Sequence, residues 1–160
     1  MQKLRGFTLV ELIVVVLLVA ILSAYAASRF LGVSSFSAFA AQDQAISIIR
    51  QIQVSRMQSN LSDVALQTNS YYVLAVQPGC LGSVAACALN QDDSRSDVLR
   101  GNQLSFSSSV VLTNQRIQFD LLGNPKNEAA SGVTITISAP GSSAAVCINT
   151  QGYVARGNCL

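Results

Sequence analysis

The chain has no histidine, no tryptophan and only three prolines. Without histidine the commonest general base is missing, as are His-containing zinc sites and His-dependent nucleophilic triads. Charge is scarce: 11% of residues are Asp, Glu, Lys or Arg, well below the usual share of about 25%. Half the residues are apolar, so a disordered acidic or basic tail is excluded. The formal charge of +2, from ten basic and eight acidic residues, gives no polybasic character. No Cys-x-x-Cys spacing occurs, which argues against a zinc or thioredoxin-type site. No Gly-x-Ser-x-Gly motif surrounds a serine, and Gly-rich phosphate loops are absent. The expectation is a non-enzymatic protein with no catalytic residues, no metal, no cofactor and no small-molecule substrate.

What is present is distributed unevenly. The chain is 160 residues, the size of one domain with or without an appendage. Residues 7–27 read FTLVELIVVVLLVAILSAYAA, with only Thr8, Glu11 and Ser23 interrupting the apolar run. As a helix this segment is roughly 31 Å long, enough to cross a hydrocarbon core. Lys3 and Arg5 precede it, so the positive-inside rule keeps that end in the cytoplasm and puts the body outside. Residues 28–160 keep an ordinary apolar share. Three readings of the segment compete. One is a signal peptide cut near Ser23–Ala27, and one is a plain membrane anchor. The third starts from the short basic leader ending in Gly6 before Phe7, and from Glu11 inside the apolar run. A carboxylate at bilayer depth costs a few kcal/mol and normally signals function. In a stack of helices with a regular axial offset, Glu11 can pair with the α-amino group of a neighbouring copy's Phe7. Such a pair is a register device more than a source of stability.

The stretch Lys3-Leu4-Arg5-Gly6-Phe7-Thr8-Leu9-Val10-Glu11-Leu12 resembles the class III signal of type IV pilins and type II secretion pseudopilins. The resemblance implies cleavage between Gly6 and Phe7 by a prepilin peptidase and N-methylation of Phe7. It implies an inner-membrane anchor that later packs with other pilin subunits into a filament core. Removing Lys3 and Arg5 from the ten basic residues would leave eight against eight acidic ones, and a near-neutral subunit suits self-association. The implied organisation is a leader at 1–6, a transmembrane and filament-core half-helix at 7–33, and a periplasmic globular domain at 34–160. The implied location is the inner membrane before assembly, and an extracellular pilus or periplasmic pseudopilus afterwards. Two departures stand out. Ser28 occupies the place of a proline in many pilins, and Ala20 that of a helix-weakening glycine. Gly32 and the serines at 34, 35 and 37 are the remaining weak points of the helix.

Ala38, Ala41, Ala45, Ile48, Ile49 and Ile52 recur at three- and four-residue spacings, one face of an amphipathic helix. Asp43, Gln44, Ser47, Arg50, Gln51 and Gln58 fall on the other side. This helix is expected to stop near Asn60–Asp63. Beyond it, Tyr71–Val76, Val110–Thr113, Arg116–Asp120, Val133–Ser138, Ala144–Asn149 and Tyr153–Arg156 read as strands separated by Gly, Pro, Asn and Ser signals. Their connections are too short for crossover helices, so pairing should be antiparallel. The fold expected is α+β: the pilin ladle, a long N-terminal helix packed on one antiparallel β-sheet.

Phe119-Asp120-Leu121-Leu122-Gly123-Asn124-Pro125 with Gly152-Tyr153-Val154 resembles minor pilins, most closely those of the mannose-sensitive haemagglutinin (MSHA) type pilus. The function this implies is a minor pilin, a structural or priming subunit of a pilus for adhesion or motility. A minor pseudopilin of a type II secretion system, a DNA-uptake pilin and a signal-anchored exported binding protein stay open. DNA uptake needs a basic stripe, and Arg95, Arg100, Arg116, Lys126 and Arg156 are scattered.

Cys80, Cys87, Cys147 and Cys159 allow three pairings in an exported domain. The local pairs Cys80–Cys87 and Cys147–Cys159 are favoured, with loop-closure contributions of roughly 2.5 and 3 kcal/mol. Pro78–Asn90 is expected to be a variable surface loop. Asp92, Asp93 and Asp97 lack the EF-hand pattern and are expected on a solvated loop.

Overall fold

A computed structural model describes residues 9–34, 37–66, 69–89, 95–101 and 103–159, with side chains at all of these except 24–34, 37 and 63. The chain forms two compact units, Met1–Ser34 and Ser35–Leu160.

The first unit is helix α1, Leu9–Ser34. Its 26 residues correspond to about 39 Å. Every described side chain from Leu9 to Ser23 is exposed. The large apolar ones among them are 46–74% exposed, so the helix is apolar all round and has no shielded stripe. Ser23 Oγ donates to Val19 O at 2.7 Å, which keeps its hydroxyl bonded inside an apolar helix. Among the described residues no helix is long and apolar enough to cross a membrane. Phe7 and the side chains of Ala24–Ala27, which complete the apolar segment of the sequence, lie outside the described ones.

The second unit is built on helix α2, Ser37–Met57. Ala38, Ala41, Ala45, Ile48, Ile49 and Ile52 are all buried, while Asp43, Gln44, Ser47, Arg50, Gln51 and Gln58 are exposed. The helix ends at Met57, three residues before the expected stop. Ser59 accounts for the early end: its N–H and Oγ both donate to Arg56 O, at 3.1 and 2.8 Å. A short helix α3, Asp63–Leu66, follows.

Among the described residues, eight strands form two antiparallel sheets where the sequence suggested one. The first has the order β3-β2-β1-β5, from β1 (Leu74–Gln77), β2 (Cys80–Ser83), β3 (Val98–Arg100) and β5 (Arg116–Ile117). The second has the order β4-β6-β7-β8, from β4 (Ser105–Ser108), β6 (Val133–Ala139), β7 (Ser142–Ile148) and β8 (Val154–Arg156). β6 and β7 pair over seven residues, from Val133 opposite Ile148 to Ala139 opposite Ser142. The alternation of Val133, Ile135 and Ile137 puts these three in the core. There they join Ile49 and Ile52 of α2 together with Leu74, Leu81, Phe106, Ile117 and Phe119. Both sheets therefore pack on one helix and share one core.

Three sequence expectations are corrected. Pro78–Asn90 is not a surface loop through its described part: it holds the turn Pro78–Gly79, the wholly buried strand β2 and helix α4, Val84–Ala88. Gly82 permits this burial, since a Cβ there would lie 2.4 Å from Asp97 O, at the residue that leads into β3. Val110–Thr113 is not a strand. Its chain leaves the sheet after Ser109 N–H bonds Thr134 O, and closes a 3-10 turn at Thr113–Gln115 with Asn114 and Gln115 both left-handed. The strand in this region is β4, where Phe106 is the one buried residue. Asp97, finally, is not on a freely solvated loop but is held by three side-chain hydrogen bonds.

Candidate functional site

Gly6 and Phe7 lie outside the described residues. Glu11 is in the first turn of α1 and exposed. A carboxylate there complements the positive end of the helix dipole. It stands four residues after Phe7 in sequence.

Four side chains of α2 fasten it to main-chain carbonyls. Gln42 Nε2 reaches Ala145 O at 2.5 Å, and Arg50 Nη2 reaches Val154 O at 2.8 Å. Gln53 Nε2 bonds Gly123 O at 2.9 Å and Gly152 O at 2.8 Å. Arg56, only 1% exposed, donates from Nε to Phe119 O at 3.1 Å and from Nη1 to Leu61 O at 3.1 Å. The burial of Gln42, Gln53 and Arg56 was not foreseen in the sequence. Their positions beside the apolar stripe were the available signal. Gln53 also joins the two stretches quoted for the second resemblance, since Gly123 and Gly152 share its amide.

Within the first of those stretches, Asp120 organises a turn. Its Oδ1 accepts from the N–H of Leu122 and of Asn124, both at 2.8 Å, and its Oδ2 from Asn124 Nδ2 at 2.9 Å. Partial burial opposes ionisation of Asp120, but the hydrogen bonds from Asn124, Leu122 and Gly123 outweigh it and hold the carboxyl below its ordinary range.

Cys80 is bonded to Cys87, with Cα atoms 5.9 Å apart, and Cys147 to Cys159, at 4.9 Å. The first ties the start of β2 to α4. The second ties the end of the chain to β7, where Cys159 N–H also donates to Thr134 Oγ1 of β6 at 2.9 Å. Just before β3, Arg95 grips Asp97 with two bonds of 2.8 and 2.7 Å, and its guanidinium stands 5.6 Å from the ring centre of Tyr71. Ser83 Oγ donates to Asp97 Oδ2 and accepts from Ala86 N–H, capping α4. Burial pushes the Asp97 pKa up, but the bonds from Arg95 and Ser83 and the guanidinium charge leave it below the ordinary value. Asp92 and Asp93 lie outside the described residues. Among the described residues no group of three potential ligands is placed to hold a metal.

The other cations are spread out. Arg100 Nη2 serves the carbonyls of Ala86 and Leu89, and Arg156 pairs with Asp43 at 2.6 Å. Arg116 lines a polar cleft of about 330 Å³ with Thr113, Asn114, Gln118, Asn127 and Glu128. Glu128 accepts a hydrogen bond from Thr113, and that bond lowers its pKa.

Residues 1–27 match the prokaryotic N-terminal methylation motif. No match to a curated protein or to a solved structure reaches significance. The motif marks a type IV pilin-like class III signal, which implies processing by a prepilin peptidase and assembly with other pilins, and suggests a structural subunit in place of an enzyme. The α+β architecture, with an N-terminal helix and antiparallel sheets, is compatible with a pilin-like fold.

Proposed function

We propose that the chain is a minor subunit of an MSHA-type type IV pilus. A prepilin peptidase cuts between Gly6 and Phe7, the new N-terminus is methylated at Phe7, and the segment from Phe7 holds the subunit in the inner membrane with its body in the periplasm. Assembly then moves that segment into the filament core. The observation that carries this reading is the methylation motif at residues 1–27, running into a helix whose described apolar side chains are all exposed. Such a helix needs a bilayer or other subunits around it. The two stretches that resemble MSHA-type minor pilins meet at Gln53, which supports treating them as one structural feature. The same anchor would serve a secretion pseudopilus. The disulfide that pins the C-terminal residues fits an exported body, because such bonds persist in oxidising surroundings, the periplasm included. A DNA-uptake role is disfavoured, since Arg95, Arg100 and Arg156 are already engaged within the body.

Glu11 sets register by pairing with the α-amino group of a neighbouring subunit. In a pilus assembly assay, Glu11→Ala is expected to abolish most incorporation while leaving the membrane-bound precursor intact. Undiminished incorporation would sink the register role.

A further inference from the structure

The cleft beside β5 is lined by polar side chains alone: Thr113, Asn114, Arg116, Gln118, Asn127 and Glu128. Its volume of about 330 Å³ sits at the lower end of small-molecule sites, which run from about 300 to 1,000 Å³. Strand alternation builds its floor. Ile117 and Phe119 point into the core, which turns Arg116 and Gln118 outward on one face. Two 3-10 turns, Thr113–Gln115 and Asn127–Ala129, supply the other lining residues. Asn114, Gln115 and Asn127, at φ 53°, 56° and 54°, are the non-glycine left-handed residues among the described ones. All three lie in these two turns. Strained backbone of this kind tends to gather where side chains are aimed at a ligand.

The lining is also uncommitted. Thr113 and Glu128 bond each other, while the side chains of Asn114, Arg116, Gln118 and Asn127 bond no other described residue. A free guanidinium is a planar fork that fits a carboxylate with two parallel bonds. Each amide presents a donor and an acceptor together, which suits adjacent hydroxyl groups. Glu128 repels a carboxylate and accepts from hydroxyls, so it gives the cleft a direction. No aromatic ring lines it for stacking a base, and its single cation makes a poor phosphate cluster.

We propose that this cleft binds an acidic sugar, a uronate residue of a polysaccharide, with the carboxylate on Arg116 and the hydroxyls on Asn114, Gln118, Asn127 and Glu128. The proposal stands apart from the pilin reading, because it concerns the body alone and needs no assembly. The test is calorimetric titration of the full chain in detergent with digalacturonate and with neutral digalactose. Saturable binding of digalacturonate is expected. The neutral sugar and the Arg116→Gln and Gln118→Ala variants should each bind roughly tenfold more weakly. Arg156→Gln, which removes a cation elsewhere, should bind normally. No saturable binding, equal binding of the neutral sugar, or an equal loss in Arg156→Gln would overturn the proposal.

Discussion

Gly152 sits at φ +76°, and a Cβ there would lie 2.1 Å from Gly123 O. The atom it would strike is main chain, and Gln53 Nε2 bonds the carbonyls of both glycines, so no rotamer change relieves the clash. Gly152→Ala is therefore expected to cost at least about 2 kcal/mol, combining left-handed strain with a displaced buried amide. Gly79→Ala, which would meet nothing within 4 Å, should change stability by less than about 0.5 kcal/mol. Urea unfolding of the two variants checks the contrast, and equal midpoints would refute it. Gly152 gave a turn signal in the sequence, but the need for glycine there comes from Gly123 and Gln53, distant in the chain.

Among the elements, β2, β3 and α4 are joined by one polar clamp of Ser83, Asp97 and Arg95. The fold depresses the Asp97 pKa, so the clamp contributes stability above the unfolded pKa, near 4, and loses it as pH falls through the lower folded value. Asp97→Asn is expected to cost about 1 kcal/mol at pH 7, discounted for solvent screening. The gap between wild type and variant should shrink below about pH 4 in denaturant titrations. A gap independent of pH would contradict the charged clamp. This region was poorly legible in the sequence. β2 reads Cys-Leu-Gly-Ser and β4 reads Ser-Phe-Ser-Ser, with too little apolar alternation to mark strands. Their burial depends on Gly82 admitting a neighbouring backbone and on Phe106 alone. By contrast α2 and the β6–β7 pair were legible, because their periods of 3.6 and 2 follow from which side chains face the core. The polar cleft beside β5 was invisible for a third reason: its lining comes from two turns and the strand between them, of ordinary polar composition, that only the fold brings together.

At the scale of the whole molecule, the body has a closed core, and the described side chains of helix α1 are all exposed. The body buries its apolar residues between α2 and two sheets and is closed further by two disulfides. Helix α1 leaves its described apolar side chains exposed, with one carboxylate in its first turn. Such an exposed apolar surface suits the surroundings proposed for it, a bilayer or other subunits. The sequence carried that conclusion most clearly, since a basic leader, Gly6-Phe7 and Glu11 stand in one short run that needs no tertiary context. Scarce charge has the same sense: without Lys3 and Arg5 the side chains balance, which suits packing among copies and relatives. In the proposed function residues 1–6 are removed and the apolar segment kept. Intact-mass and N-terminal sequencing of the protein taken from its native membrane tests it most directly. A mature chain beginning at N-methylated Phe7 is expected, and a chain beginning near Ala27, or one still starting at Met1, would contradict it.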